Sequence, residues 1–168
     1  MGLARAGPTP EVSTNIFLKL QTTLNKGWFL YAKLRAMAQT FFFYDLETSG
    51  LNPRTDRIMQ FAGQRTDMKL APIGEPINVL VKLNDDTLPS PDAVMVTGIT
   101  PQSTQADGYT EAEFAKFLHS EVFTENTITV GFNSVRFDDE FIRCLFWRNF
   151  YDPYQWCWKE GRSRWDLL

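Results

Sequence analysis

The ten residues Phe41-Phe42-Phe43-Tyr44-Asp45-Leu46-Glu47-Thr48-Ser49-Gly50 constrain this chain more than any other stretch. So dense an aromatic run, at strand length, predicts a buried β-strand over 41–47. The strand delivers two carboxylates, Asp45 and Glu47, two residues apart. Side chains in a strand alternate faces with period 2, so these two point one way and Leu46 the other. Like charges on one face at the end of a buried strand repel each other and are costly to desolvate. A divalent cation relieves both penalties, and a donor set made only of oxygens suits Mg²⁺ or Mn²⁺. Thr48-Ser49-Gly50 then turns the chain and is expected to leave backbone amides free beside the acids.

The rest of the sequence is consistent with one domain that buries a sizeable core: 168 residues, 43% of them apolar. The net charge of −3 is no basic footprint of the kind a simple nucleic-acid clamp shows. The charge is uneven. Residues 1–36 hold five cations (Arg5, Lys19, Lys26, Lys33, Arg35) and one acid (Glu11); the remainder holds 12 basic and 19 acidic side chains, net −7. An acidic body suits a metal-dependent site. Cys144 and Cys157 form no CxxC and are read as reduced, packing thiols of a cytoplasmic protein. No apolar run approaches the length of a membrane span.

Three readings fit residues 1–36: a basic amphipathic targeting or membrane-surface segment, a helix packed on the domain, or a non-native extension before a start at Met37. From there the chain reads in order. Strand two is expected over Arg57–Thr66, with Gly63 as a bulge, and strand three over Ile77–Leu83, giving an antiparallel meander. Ser90-Pro91 and Thr100-Pro101 each start a short helix. Thr110-Glu111-Ala112-Glu113 is a capping box opening a helix to about Val122. His119, the only histidine, lies on that helix without an acidic cluster and is read as structural or exposed. Thr127–Phe132 is expected to be a central strand parallel to the first. After a loop over 133–136, Phe137-Asp138-Asp139-Glu140 opens a helix with its acids in the first turn. Residues 150–165 are read as a loop crowded with aromatics and cations.

A strand, a short loop and Phe-Asp at a helix start would place Asp138 at the carboxyl edge of the sheet, where ligands of open α/β sheets sit. Asp138 could there converge on Asp45 and Glu47, or it could simply stabilise the helix terminus. At this point the residues carry a resemblance. FFFYDLETSG, TDRIMQFAGQRTD, IGEP, LPSPDAVMVTGITPQ, GFNSVRFDDEFIR and FWRNFYDPYQWCWKEGRSRWDLL together resemble the amino-terminal part of the exonuclease I family. These are single-strand-specific 3′-to-5′ exodeoxyribonucleases of the DnaQ-like (DEDDh) superfamily. The resemblance covers nearly all of residues 41–168 and leaves out 1–36, which favours a start at Met37.

The resemblance implies an α/β, ribonuclease H-like mixed sheet: a three-strand antiparallel meander, a parallel strand and flanking helices, ending before the last strand and helix. It implies a two-metal site with Asp45, Glu47 and Asp138 as catalytic metal ligands for two Mg²⁺ ions, Mn²⁺ being an alternative. It implies substrate contacts from Thr48, Ser49, Gly50, Thr97, Ile99, Arg136 and Arg143. The partner would be the 3′ end of single-stranded DNA, with a single-strand-binding protein as a candidate second partner, in a cytoplasmic monomer that uses no membrane. The family's third motif, a histidine followed by a fourth acid, has no counterpart here: no histidine follows Asp138, and Asp166 is read as a cap or strand-end residue. Weak activity or none is therefore expected of this chain alone.

Other readings compete. Asp45-Leu46-Glu47 could end a strand in a solvated turn, or belong to an aspartate-nucleophile phosphatase, whose signature has Asp where Glu47 stands. Beyond those are a DEDD nuclease acting on RNA or proofreading DNA, a catalytically silent single-strand-binding module, and an incomplete product that folds poorly.

Overall fold

A computed structural model describes residues 38–168, and the readings made for residues 1–36 lie outside them. Five strands form one mixed sheet in the order β3-β2-β1-β4-β5: β1 (Thr40–Thr48), β2 (Ile58–Thr66), β3 (Ile77–Leu80), β4 (Thr127–Gly131) and β5 (Ser163–Asp166). The first three make the expected antiparallel meander, and β4 runs parallel to β1. The helices are α1 (Pro91–Thr97), α2 (Pro101–Asp107), α3 (Glu111–Phe117) and α4 (Asp138–Arg148). Residues Leu118–Val122 add a wider π turn to the end of α3. Among the described residues no helix is long and apolar enough to cross a membrane.

The helix signals act as read. The Ser90 side chain accepts from the Ala93 amide, with Pro91 in the first turn, and Gly98 ends α1 at a left-handed φ of 71°, which glycine adopts without a Cβ penalty. Thr110 and Glu113 form the capping box of α3. The main core lies on one face of the sheet, where Phe42, Tyr44 and Leu46 of β1 pack against Phe141, Ile142, Leu145 and Phe146 of α4. Each large side chain buried there contributes roughly 1.5–3 kcal/mol. On the opposite face Phe41 and Phe43 of β1 meet Ile128 and Val130, with Trp165 at 5.1 Å from Phe41. By period 2, Asp45 and Glu47 belong to this second face.

Three expectations are corrected. Gly63 keeps regular register opposite Tyr44; the irregularity lies between Glu47 and Thr48, where Met59 is skipped and enters a second cluster with Leu83 and Ile99. Glycine stands at 63 for another reason: a Cβ there would come within 2.5 Å of the Phe42 ring. Strand three stops at Leu80 because Lys82 donates to the Tyr109 carbonyl (2.7 Å), so the chain leaves β2 for the α2–α3 connection. The stretch read as a loop over 150–165 contains a 3₁₀ turn at Gln155–Cys157 and the start of β5. β5 pairs parallel to β4 from Ser163 opposite Ile128 to Asp166 opposite Gly131. Asp166, read as a cap or strand-end residue, is the final residue of β5.

Candidate active site

The site follows from a mismatch in strand length. β1 and β4 pair only from Thr40 opposite Thr127 to Phe43 opposite Val130, while β1 continues to Thr48. In a parallel pair, alternate residues face the same neighbour, and on β1 the Thr40 amide already donates toward the β4 side, to Asn126 (3.0 Å). The Leu46 amide therefore faces that side as well, beyond the last paired residue. α4 begins there. The Asp138 carboxyl group, in a residue only 5% exposed, lies beside the Leu46 amide and its own amide, and both favour its ionised form. The first turn of α4 thus stands at the unpaired edge of β1.

Electrostatics report the same convergence. Burial, then the charge of Asp45, push the Asp138 carboxyl up to about 7. Burial, then the charge of Asp45, also raise Glu47. Asp45 is thus the shared neighbour of the other two acids. Among the described residues no three acidic, histidine or cysteine side chains lie close enough together to hold one ion. The reason is geometric. Asp45 and Glu47 are two residues apart, roughly 7 Å along a strand, and Asp138 reaches β1 from its open edge.

Asp138, Asp139 and Glu140 have separate partners. Asp139, 1% exposed, accepts from Tyr44 Oη of β1 and from Arg164 Nη1 of β5 (3.0 Å). Burial and the Asp139 charge hold the Tyr44 phenol well above its usual range, so it remains a donor. Glu140 pairs with Arg143 on the next turn. None of these roles for Asp139, Tyr44 and Arg164 was read from the sequence; the cue available was a tyrosine beside Asp45 in an otherwise apolar strand.

A cleft of about 580 Å³ opens beside Glu47, lined also by Leu51, Asp56, Val96, Thr97 and Phe137. Of the expected substrate contacts, Thr48, Gly50 and Thr97 line it. Four do not. Ser49 is fully buried, and its amide is not free: it donates to the Arg57 carbonyl (2.8 Å), while its Oγ accepts from the Arg57 amide (2.9 Å). Ile99 is core, beside Met59 and Leu83. Arg136 is exposed on the 3₁₀ turn before α4. Arg143 sits over the Tyr154 ring and donates to its hydroxyl (2.8 Å), in a separate groove with Trp147 and Pro153. Leu51, Asp56 and Phe137 of the cleft were not singled out in the sequence. His119, as read, is structural: it stacks on Tyr151 at 4.6 Å.

Known proteins resemble this chain in sequence and fold. Residues 42–168 match a family model described as Exonuclease. Exodeoxyribonuclease I of Haemophilus influenzae and that of Escherichia coli are each 53% identical over 129 residues, 77% of this chain. The chain spans 27% of the length of either relative. A zinc-ion-bound crystal form of an E. coli ExoI–ssDNA complex matches with a TM-score of 0.76 at 52% identity, over 77% of this chain and 28% of that one. An ExoI/SSB-Ct complex matches over the same shares at 52% identity, with a TM-score of 0.75.

Proposed function

The chain belongs to the exonuclease family, and from that premise we propose that it is built to remove 5′-mononucleotides from the 3′ end of single-stranded DNA by metal-dependent phosphodiester hydrolysis. The observation that carries this reading is the coupling of Asp45 to both Glu47 and Asp138 at the open end of β1. A donor set made only of carboxylate oxygens suits Mg²⁺ or Mn²⁺, and acids spread over the strand rim with Asp45 shared suit two ions better than one. Divalent cations held by Asp45, Glu47 and Asp138 would supply a water of lowered pKa and balance charge on the leaving 3′-oxygen.

The chain's own residues do the rest. The cleft beside Glu47, walled by Leu51, Val96 and Phe137, accepts an unstacked terminal nucleoside against apolar surface, as single-strand binding requires. Burial of Asp138 and the Leu46 amide fix one carboxylate on the rim. Arg136, exposed on the turn before α4, would meet a backbone phosphate, whereas Arg143 would have to leave Glu140 and Tyr154 to do so. No histidine follows Asp138, and His119 is held against Tyr151. Among the described residues no histidine stands beside these acids as a general base, and turnover should be lower by about 10²–10⁴-fold than with one.

Single-stranded DNA and a single-strand-binding protein's carboxyl-terminal segment are the partners this reading carries over from the ExoI complexes. The two free thiols fit a reducing, cytoplasmic compartment. The test uses an oligodeoxynucleotide labelled on its 3′-terminal nucleotide, with Mn²⁺ and the chain in excess. The expected result is metal-dependent release of labelled mononucleotide from single strands, lost in Asp45→Asn. Metal-independent release, or release untouched by Asp45→Asn, contradicts the reading.

A further inference from the structure

We propose that Asp139 is a positioning residue: held between Tyr44 of β1 and Arg164 of β5, it sets where the neighbouring Asp138 carboxylate stands. The proposal rests on the carboxylate-site reading above and adds residues that the reading does not use.

Three observations carry it. First, α4 lacks the usual means of fixing its first turn. Phe137 occupies the N-cap position, with φ −127° and ψ −75°, and makes no side-chain capping bond, although a capping side chain typically contributes about 1 kcal/mol. Second, the missing restraint is supplied from elsewhere. Asp139, with 2% of its side chain exposed, accepts from Tyr44 and from Arg164 at 3.0 Å. Its two donors stand on the strands either side of β4, so one carboxylate ties the helix start across the strand that precedes it. Third, successive helix residues diverge by about 100°. While Asp139 is clamped toward Tyr44 and Arg164, Asp138 is turned to the Leu46 amide at the open end of β1. Releasing the clamp frees the turn that carries Asp138, while the apolar face of α4, Phe141 to Phe146, stays packed.

A carboxylate that binds a cation depends on its supporting hydrogen bonds, and loss of such support typically costs 10–100-fold in metal affinity. The experiment measures Mn²⁺ affinity of the chain by electron paramagnetic resonance of free Mn²⁺, with thermal unfolding in parallel. Asp139→Asn should weaken Mn²⁺ binding at least tenfold. Arg164 is 40% exposed, so Arg164→Met should fold normally and still weaken binding several-fold, with Arg164→Lys recovering part of the loss. Arg148→Met, which breaks the ion pair with Glu111 at the far end of α4 (2.9 Å), should lower the unfolding temperature and leave Mn²⁺ affinity unchanged. Should Asp139→Asn destroy folding, Arg164→Met decides. Parental affinity in folded Asp139→Asn or in Arg164→Met overturns the positioning role while leaving the carboxylate site standing. Equal Mn²⁺ binding by the parent and by Asp138→Asn overturns the site itself, and the positioning role with it.

Discussion

The Asp138 carboxyl group lies beside the backbone amide of Leu46, which favours its ionised form, at the place where β1 has outrun β4. One side chain thereby brings a third acid to the strand end that carries Asp45 and Glu47. It stands there against a cost, since burial and the Asp45 charge both oppose its ionisation.

That cost predicts a gain in stability on neutralisation. Asp138→Asn keeps an acceptor for the Leu46 amide and removes the charge. The metal-free variant should unfold a few degrees above the parent at pH 8, by differential scanning fluorimetry, and should have lost Mg²⁺-dependent stabilisation. An unchanged or lower unfolding temperature at that pH would count against the burial of a charged Asp138.

The pH dependence has a defined sign. The folded-state pKa of Asp138, about 7, lies above the ordinary carboxyl value of 3.8. Between the two the folded chain binds more protons than the unfolded one, so stability falls as pH rises. The contribution of protonated Asp138 is full below pH 4 and lost as pH passes through 7, at most roughly 4 kcal/mol in all. Urea titrations of the metal-free chain at pH 5.5 and pH 8 should show the higher pH to be the less stable. Asp138→Asn should flatten the difference. Because the cation needs the ionised carboxylate, Mn²⁺ affinity should rise over the same interval.

Gly63 gives a packing prediction independent of the chemistry. A methyl group there meets the Phe42 ring at 2.5 Å and the Phe43 carbonyl at 2.8 Å. Gly63→Ala should destabilise the chain by about 1–3 kcal/mol in urea unfolding. Phe42→Leu in the same chain should recover part of the loss by withdrawing the ring; a double variant no better than the sum of the singles argues against that contact as the cause.

The cleft can be filled without touching an acid. Ala93 lines it from α1 and is only half-buried. Ala93→Trp should leave thermal unfolding unchanged and weaken binding of a deoxynucleoside 5′-monophosphate in Mn²⁺ about tenfold, measured by calorimetry. Undiminished binding would place the nucleoside elsewhere.

Much of this was legible in the sequence because it rests on local chemistry. The aromatic run fixed β1, the Ser90, Thr100 and Thr110 signals fixed three helix starts, and period 2 put Asp45 and Glu47 on one face. What was not legible depends on partners distant in the chain. Ser49 was expected to offer a free amide, but Arg57 takes it. Ile99 looked like a substrate contact beside Thr97, yet only Thr97 lines the cleft. β5 was read as loop because a four-residue edge strand with exposed Arg164 and Trp165 buries too little to show alternation. Asp138 and Asp139 are indistinguishable by composition; Tyr44 and Arg164 on one side and Leu46 on the other assign them separate work.

The central claim is that Asp45, Glu47 and Asp138 hold divalent cations together at the carboxyl end of β1. Anomalous diffraction from crystals of the chain grown with Mn²⁺ tests it most directly. The account predicts manganese peaks at roughly 2.1 Å from carboxylate oxygens of Asp45 and of both Glu47 and Asp138, with Asp45 common to the ligand sets. Manganese bound only elsewhere, or none within reach of Asp45 at saturating concentration, would contradict it.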